Sequence, residues 1–395
     1  MEDTLNIADD RRSLPTLTNV LIIISSIMVF IFSIQLMGAA FEALGTAMAD
    51  SILQATANPF IGLFIGLLVT AIFQSSSTTT SLVVAAVASN SISLQSAIPI
   101  VMGANIGTTI TSTIVSLGYI TKTAAFRKAI SAGVSHDIFN VLIVLVLFPL
   151  ELKYQFLSGI SSDLSAFLKS GTPTEGLNFG SLLNIFNPVT GFIVDIFGSL
   201  ITLIFAVVLL FGTVKVISRL LYHRLIGSAR KSLEKLMFDT KFKSFGWGLL
   251  LTSIIQSSSL TTSLIVPLVA TGKVRLKKAF QFILGANLGT TITAIIAALF
   301  KSEAAISLAL AHFLFNFIGV AIFLLVPALN QVPTYLSDKL GYFTLRNRII
   351  GFTYILLTFF LLPFSLIYFS GNTELEVQEP IPTKRLTQEK GPLDP

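Results

Sequence analysis

Long apolar runs separated by short polar segments dominate the chain. Apolar stretches of about 20 residues are long enough to cross a bilayer as α-helices, and seven segments fit this description. The predicted spans are 17–44, 96–117, 126–150, 191–214, 278–300, 304–329 and 349–369. The pattern therefore predicts an all-α polytopic membrane protein.

Two further segments, 58–88 and 245–271, fit a single span poorly because each is apolar at both ends and polar in the middle. The sequence Gln-Ser-Ser-Ser, called the QSSS motif below, lies at the centre of each. Irregular backbone at membrane depth is tolerated where protein or a water-filled cavity covers it. We therefore predict that each segment is a re-entrant helical hairpin that dips to mid-membrane and returns.

The two QSSS motifs belong to an internal repeat. When positions 74–113 are aligned with 256–295, they agree at 21 of 40 positions, mostly polar residues and glycines. A helix surface that faces lipid is apolar, so repeated polar residues and glycines do not fit a lipid-facing role. Because many secondary transporters bind their substrate between two repeats, the duplication indicates an internal binding site built from both halves.

Charge predicts the orientation of the chain. The segment 215–243 carries eight basic residues against two acidic ones, and basic loops lie on the cytoplasmic side. The connection at 151–190 has no positive excess and is placed outside, which makes the two repeats inverted.

The predicted organisation follows from the spans, the repeat and the loop charges. A cytoplasmic N-terminal tail (1–16) is followed by a first inverted repeat (17–150) with its hairpin at 58–88 and by an extracytoplasmic loop (151–190). A second inverted repeat (191–329) with its hairpin at 245–271 is followed by a cytoplasmic loop and final transmembrane helix (330–370) and by a flexible, extracytoplasmic C-terminal tail (371–395).

Composition narrows the function classes. Hydrophobic residues make up 53% of the chain and charged residues 12%, with a mean hydropathy of +0.82, and this charged fraction is about half that of a soluble domain. The net charge of +6 comes from the basic loops, so it does not indicate a nucleic-acid partner. The hydrophobic composition predicts that membrane lipid surrounds the chain. The chain has no cysteine, which excludes disulfides and thiol catalysis. Without a nucleophile–base pair or a metal cluster in the sequence, we predict neither an enzyme nor a bound cofactor.

Each QSSS motif is followed by a Ser/Thr run and, further along, by GANIGTT from Gly103 or GANLGTT from Gly285, and similar HDIFN and HFLFN segments begin at His136 and His312. This combination resembles the type II sodium-dependent phosphate cotransporters and their bacterial relatives. The resemblance implies a multi-pass protein of a bacterial inner membrane that imports inorganic phosphate with sodium by alternating access. Sodium is then a co-transported ion.

The resemblance is chemically reasonable, because an anion at mid-membrane needs many hydrogen-bond donors and a compensating charge. Neither predicted hairpin carries a fixed cation, so sodium must supply that charge. The predicted phosphate-binding residues are Gln74, Ser75, Ser76, Ser77, Gln256, Ser257, Ser258 and Ser259. The predicted sodium ligands are Thr79, Thr80, Ser81, Asn105, Thr108, Thr109, Thr261, Thr262, Ser263, Asn287, Thr290 and Thr291.

Several alternatives stay open at this point. Hydroxyls and glycines in membrane helices also serve packing, a role open to Gly103, Gly107, Gly285 and Gly289. His136 and His312 are interpreted as hydrogen-bonded structural residues, with a proton-relay role as the alternative. Asp137 is interpreted as the ion-pair partner of Arg127 or Lys128, with a sodium-ligand role as the alternative. The chain could also transport another anion, such as a dicarboxylate, or act as a non-transporting phosphate sensor. The sodium stoichiometry, the protonation state of phosphate and the oligomeric state are not predicted.

Overall fold

A computed structural model of the chain describes residues 16–44, 56–170, 186–226, 237–299, 301–361, 364–365 and 368. The structure is 89% helical, with no strand among these residues. Six of its helices are long and apolar enough to cross a membrane. The prediction of an all-α polytopic membrane protein is therefore confirmed.

The first half of the chain contains α1 (Thr16–Ala43), α2 (Pro59–Phe73), α3 (Ser76–Ala88), α4 (Leu94–Thr108), α5 (Ile110–Leu117), α6 (Thr123–Tyr154) and α7 (Phe156–Ser170). The second half contains α8 (Asn187–Ile226), α9 (Lys241–Ile255), α10 (Ser258–Ser263), α11 (Ile265–Ala270), α12 (Leu276–Ala298), α13 (Glu303–Leu325), α14 (Pro327–Asn330), α15 (Val332–Arg346) and α16 (Arg348–Leu356), which ends in a π-helical turn. The candidate membrane spans are Ile24–Ala43, Leu94–Leu117, Ala124–Tyr154, Asn187–Leu220, Leu276–Ala298 and Glu303–Leu325.

Six of the seven predicted spans therefore have a counterpart, and the seventh is only partly described. α16 and its π-helical turn end at Leu361, which makes them shorter than a span, and parts of 362–369 lie outside the described residues. The predicted loop at 151–190 contains α7, and the predicted loop in 330–370 contains α15. The tails up to residue 15 and from 371 onwards also lie outside the described residues.

Glycines allow α2 to pack closely against α4 and α9 against α12. A Cβ atom on Gly66 would overlap the backbone oxygen of Ile100, and one on Gly248 would overlap that of Phe282. The same kind of backbone contact occurs at Gly103, Gly107, Gly285 and Gly289. Each contact in the first half has its counterpart at the aligned positions of the second, so these glycines serve close helix packing at the same places in each copy.

A single methyl group at such a position is expected to destabilise the fold. Gly248→Ala places its Cβ against backbone that cannot move aside, and overpacking of this kind costs about 1–3 kcal/mol or more. Gly246→Ala in the same helix is the matched control, because a Cβ there meets nothing within 4 Å. Thermal unfolding in detergent should separate the two variants, and equal stability would contradict the packing role.

The two halves are also tied together by an exchange of helices. α7 follows α6 in the chain but packs against α13, whereas α15 follows α13 and packs against α6. The hydroxyl oxygens of Ser165 and Ser307 lie 2.8 Å apart between α7 and α13. On the other side, Arg127 of α6 pairs with Asp338 of α15 at 2.8 Å. This exchange holds the repeated segments in a common core.

Candidate functional site

Each QSSS motif interrupts a helix in the same way. Gln74 ends α2 and Gln256 ends α9, both in the left-handed backbone region, with φ of 56° and 55°. The next residue, Ser75 or Ser257, is extended, and its hydroxyl accepts the backbone N–H three residues on. The serine therefore caps the helix that follows. The motif thus encodes a helix end, a turn and a new helix start.

At both motifs, a threonine before the break contacts a threonine after it. The hydroxyl oxygens of Thr70 and Thr79 lie 2.9 Å apart, and those of Thr252 and Thr261 lie 2.7 Å apart. Nine residues of continuous α-helix would separate such positions by about 13.5 Å along the axis. The threonine pairs therefore join the helices on either side of each break.

The two breaks contact each other directly. The Ser77 hydroxyl donates to the backbone oxygen of Gln256 at 3.1 Å, and the Ser259 hydroxyl donates to the backbone oxygen of Gln74 at 3.1 Å. The two bonds are reciprocal, because Ser77 aligns with Ser259 in the repeat, and Gln74 with Gln256. The structure thus brings together two motifs that lie in different halves of the chain.

Helix starts surround this contact. Ser76 and Ser258, each 3% exposed, begin α3 and α10, and α11 continues from α10 after a one-residue turn. The first backbone N–H groups of a helix lack partners within the helix and carry partial positive charge. The side-chain amide of Gln74 is exposed and that of Gln256 is partly buried. The contact region therefore offers hydrogen-bond donors without any fixed charge.

Most of the predicted sodium-ligand hydroxyls beside the motifs donate to a backbone oxygen of the preceding turn. These are Thr79, Ser81, Thr261, Thr262 and Ser263. Such a bond uses the hydroxyl hydrogen and leaves oxygen lone pairs for a cation, although Thr79 and Thr261 each use one lone pair to accept from Thr70 or Thr252. The Thr80 hydroxyl is buried and has no hydrogen-bond partner among the described residues.

The predicted sodium ligands on α4 and α12 lie in a second layer behind the motifs. α12 packs against α3 and α10. The hydroxyls here also donate to backbone oxygens of their own helices, at Thr108, Thr109, Thr290 and Thr291.

Asn287 is the centre of a buried amide network. Its Oδ1 accepts from His136 Nε2 at 3.0 Å, while its Nδ2 donates to Asn140 Oδ1 at 3.0 Å and to Asn316 Oδ1 at 2.6 Å. Asn140 in turn donates to the backbone oxygen of Asn105 at 2.8 Å. The network joins α4, α6, α12 and α13, so Asn287 holds these helices together. Its role as a sodium ligand stays a prediction.

The two predicted structural histidines differ. His136 is hydrogen-bonded to Asn287, as expected. His312 is 1% exposed, but neither of its ring nitrogens has a partner in the described part of the chain. For His312 the hydrogen-bonded role stays a prediction.

The predicted ion pair of Asp137 is wrong. Arg127 pairs with Asp338 instead, and Lys128 makes no ion pair with Asp137 in the described structure. Close positions in the sequence suggested the pairing. However, α15, which lies in the other half of the chain, supplies the partner of Arg127.

Asp137 lies among hydroxyl groups. Its Oδ2 accepts from Thr113 Oγ1 at 2.8 Å and from the Tyr354 hydroxyl at 3.4 Å. Its Oδ1 has no hydrogen-bond partner among the described residues, although the side chain is fully buried. A buried intramembrane carboxyl without a basic partner is a functional candidate. An acid inside an apolar span was the signal that could have identified it from the sequence.

A cavity of about 1200 Å³ opens onto both motifs. It reaches Gln74 and Ser75 of the first motif and Ser257 and Ser259 of the second. Most of its other walls are apolar side chains of α2, α3 and α8. The cavity is therefore large enough for a small hydrated ion to approach the contact between the motifs.

Comparison with known proteins finds relatives that are named for sodium-dependent phosphate transport. Residues 29–158 and 208–362, which include both QSSS motifs, match a family model described as Na+/Pi-cotransporter. The sheep (Ovis aries) sodium-dependent phosphate transport protein 2A is 32% identical over 436 aligned positions, covering 89% of this chain and 68% of that protein. The rabbit (Oryctolagus cuniculus) protein of the same name is 31% identical, covering 91% and 68%. The human (Homo sapiens) sodium-dependent phosphate transport protein 2B is 29% identical, covering 85% and 62%. No solved structure matches the chain.

Proposed function

Because this chain belongs to the Na+/Pi-cotransporter family, a family of transporters and not of enzymes, we propose that it imports inorganic phosphate together with sodium. The proposal is carried by the reciprocal contact between the two QSSS motifs. A substrate bound there touches both halves of the chain, which is the arrangement that alternating access requires.

The proposed phosphate site consists of neutral donors. The amides of Gln74 and Gln256, the hydroxyls of the six motif serines and the free N–H groups at the starts of α3 and α10 can surround a tetrahedral anion. The hydroxyls of Ser77 and Ser259 would exchange their bonds to the glutamine backbone oxygens for bonds to the anion. Helix N-termini favour such an anion through their dipole. Because no lysine or arginine belongs to either motif, the site neutralises phosphate only when cations bind nearby.

Sodium is proposed to supply this charge. Hydroxyl oxygens that donate to backbone carbonyls keep lone pairs for a hard cation, and Asp137 adds a carboxylate beside Thr109 and Thr113. Sodium binding then favours phosphate binding, and phosphate favours sodium by the same factor, as reciprocal linkage requires. This mutual dependence couples the two movements.

The helices that meet at each QSSS motif are proposed to form a re-entrant hairpin, at 58–88 and 245–271. The bends at Gln74 and Gln256 support this proposal, since unwound backbone at membrane depth requires cover by protein or water. With basic loops on the cytoplasmic side, the two repeats are inverted and the protein resides in a bacterial inner membrane. Rocking of one repeat against the other would expose the shared site to each side in turn.

Inversion predicts opposite labelling of equivalent positions. Gln95 and Lys277 are both exposed, align with each other in the repeat, and are the second residues of α4 and α12. In this cysteine-free chain, Gln95→Cys should react with an impermeant maleimide from outside and Lys277→Cys from inside. Labelling of both from one face would indicate parallel repeats instead.

Uptake of radiolabelled phosphate into proteoliposomes tests the function itself. An inward sodium gradient should drive accumulation, whereas an equal potassium gradient should not. Arsenate should compete and succinate should not. Competition by succinate would favour dicarboxylate transport, and binding of phosphate without uptake or counterflow would favour a sensor.

A further inference from the structure

The cavity at the QSSS motifs ends at a polar group on α8. Lys215, Ser218 and Arg219 line this end and share one face of the helix, because they are three and four residues apart. Lys215 and Arg219 are exposed and make no ion pair within the part of the chain that the structure describes. Ser218 is 3% exposed, and its hydroxyl has no hydrogen-bond partner among the described residues.

We propose that Lys215, Ser218 and Arg219 form a second anion site, which holds a free phosphate ion between the cytoplasm and the central site. The identity of this ligand rests on the proposed function. Guanidinium and ammonium groups are the side chains that recognise phosphate oxygens. The unpaired Ser218 hydroxyl adds a neutral donor beside them, and a buried donor without a partner calls for a ligand.

The position of this group within the cavity gives it a role. The rest of the α8 wall of this cavity includes Val207, Val208 and Phe211, which offer an anion no hydrogen bonds. The motifs themselves carry no fixed cation. Positive charge in a cavity with low-dielectric walls concentrates anions and raises their rate of arrival. Lys215 and Arg219 therefore raise the phosphate concentration near the central site. The central site can then bind phosphate weakly enough to release it.

Basic residues at a helix end also orient a membrane protein, but that role requires neither access to a cavity nor an unpaired hydroxyl. A phospholipid headgroup has the same phosphate chemistry, and the apolar walls could accept its acyl chains. The test must therefore separate free phosphate, a lipid headgroup and orientation alone.

Gly212 provides the reporter for this test. It lines the cavity three residues before Lys215, and a Cβ there meets nothing within 4 Å. In the cysteine-free chain, Gly212→Cys should react faster with an anionic than with a neutral methanethiosulfonate reagent. Adding Lys215→Gln and Arg219→Gln should lower this rate ratio by about tenfold. Adding Arg275→Gln and Lys277→Gln, which removes two charges outside the cavity, should leave the ratio unchanged.

Sodium phosphate should also slow the anionic reagent in Gly212→Cys, and this protection should disappear with Lys215→Gln and Arg219→Gln. In transport, the same two substitutions should weaken the apparent phosphate affinity at least about threefold for efflux from the Lys215 side, with uptake from the other side unchanged. Equal rate ratios in both charge variants would overturn the site. Protection by phosphatidylglycerol but not by sodium phosphate would also overturn it. If the labelling results hold in a protein that does not transport, the anion site stands and the proposed function fails.

Discussion

Alanine at Gln74 or at Gln256 is expected to weaken the apparent affinity for phosphate by about tenfold to a hundredfold. Each amide sits at a break where the two motifs meet, and removing a donor leaves a buried anion under-coordinated. A charge-assisted hydrogen bond contributes roughly 1.5–3 kcal/mol, and about 1.4 kcal/mol corresponds to a factor of ten. Initial uptake rates at varied phosphate concentration measure the change, and both copies should show it.

The substitutions require a control at a position with the same backbone, because any residue with a Cβ is strained in the left-handed region and its side-chain contacts can help to hold it there. Gln155 ends α6 with φ of 48° and is also exposed, so Gln155→Ala carries the same strain away from the site. Ser89→Ala, beyond the first motif, is a second control. If both glutamine variants transport as well as Gln155→Ala, the motif is a packing feature.

Replacing Asp137 by asparagine is expected to raise the sodium concentration for half-maximal uptake by about tenfold or more. Asparagine keeps the shape of the side chain and an acceptor for the Thr113 hydroxyl, but it removes the negative charge. The loss of a charge-assisted cation contact accounts for this size of effect. Sodium activation curves at fixed phosphate provide the measurement.

Asp338→Asn is the matched substitution for this experiment. It removes a carboxylate of α15 that pairs with Arg127 and is half exposed. It should leave the sodium dependence unchanged. Identical activation curves for Asp137→Asn and the unmodified protein would show that the buried carboxyl binds no transported sodium.

Much of the fold could be predicted because its signals are local. A span is recognised by the length of its apolar run, and the polar centres of 58–88 and 245–271 show where a continuous helix fails. The repeat that aligns Gln74 with Gln256 linked the two motifs without any structure. At each motif a glutamine in the left-handed backbone region ends one helix and a serine caps the next. This break fits the prediction that neither segment is one continuous helix.

Other features depend on contacts that the sequence does not display. The closeness of Asp137 to Arg127 and Lys128 along the chain predicts an ion pair with one of them, whereas α15 supplies the actual partner of Arg127. α7 and α15 were missed because a helix shorter than a span, packed against the other half, resembles a polar loop. The network around Asn287 joins four helices, and none of its bonds follows from spacing alone.

Both QSSS motifs are proposed to form one phosphate site. Equilibrium binding of radiolabelled phosphate to the purified protein tests this proposal most directly, with sodium compared against choline. We predict one sodium-dependent phosphate per chain, whose Kd rises by about tenfold or more in Gln74→Ala and equally in Gln256→Ala. Two sodium-dependent phosphates per chain, with one retained in each variant, would mean that each repeat carries its own site and would contradict the account.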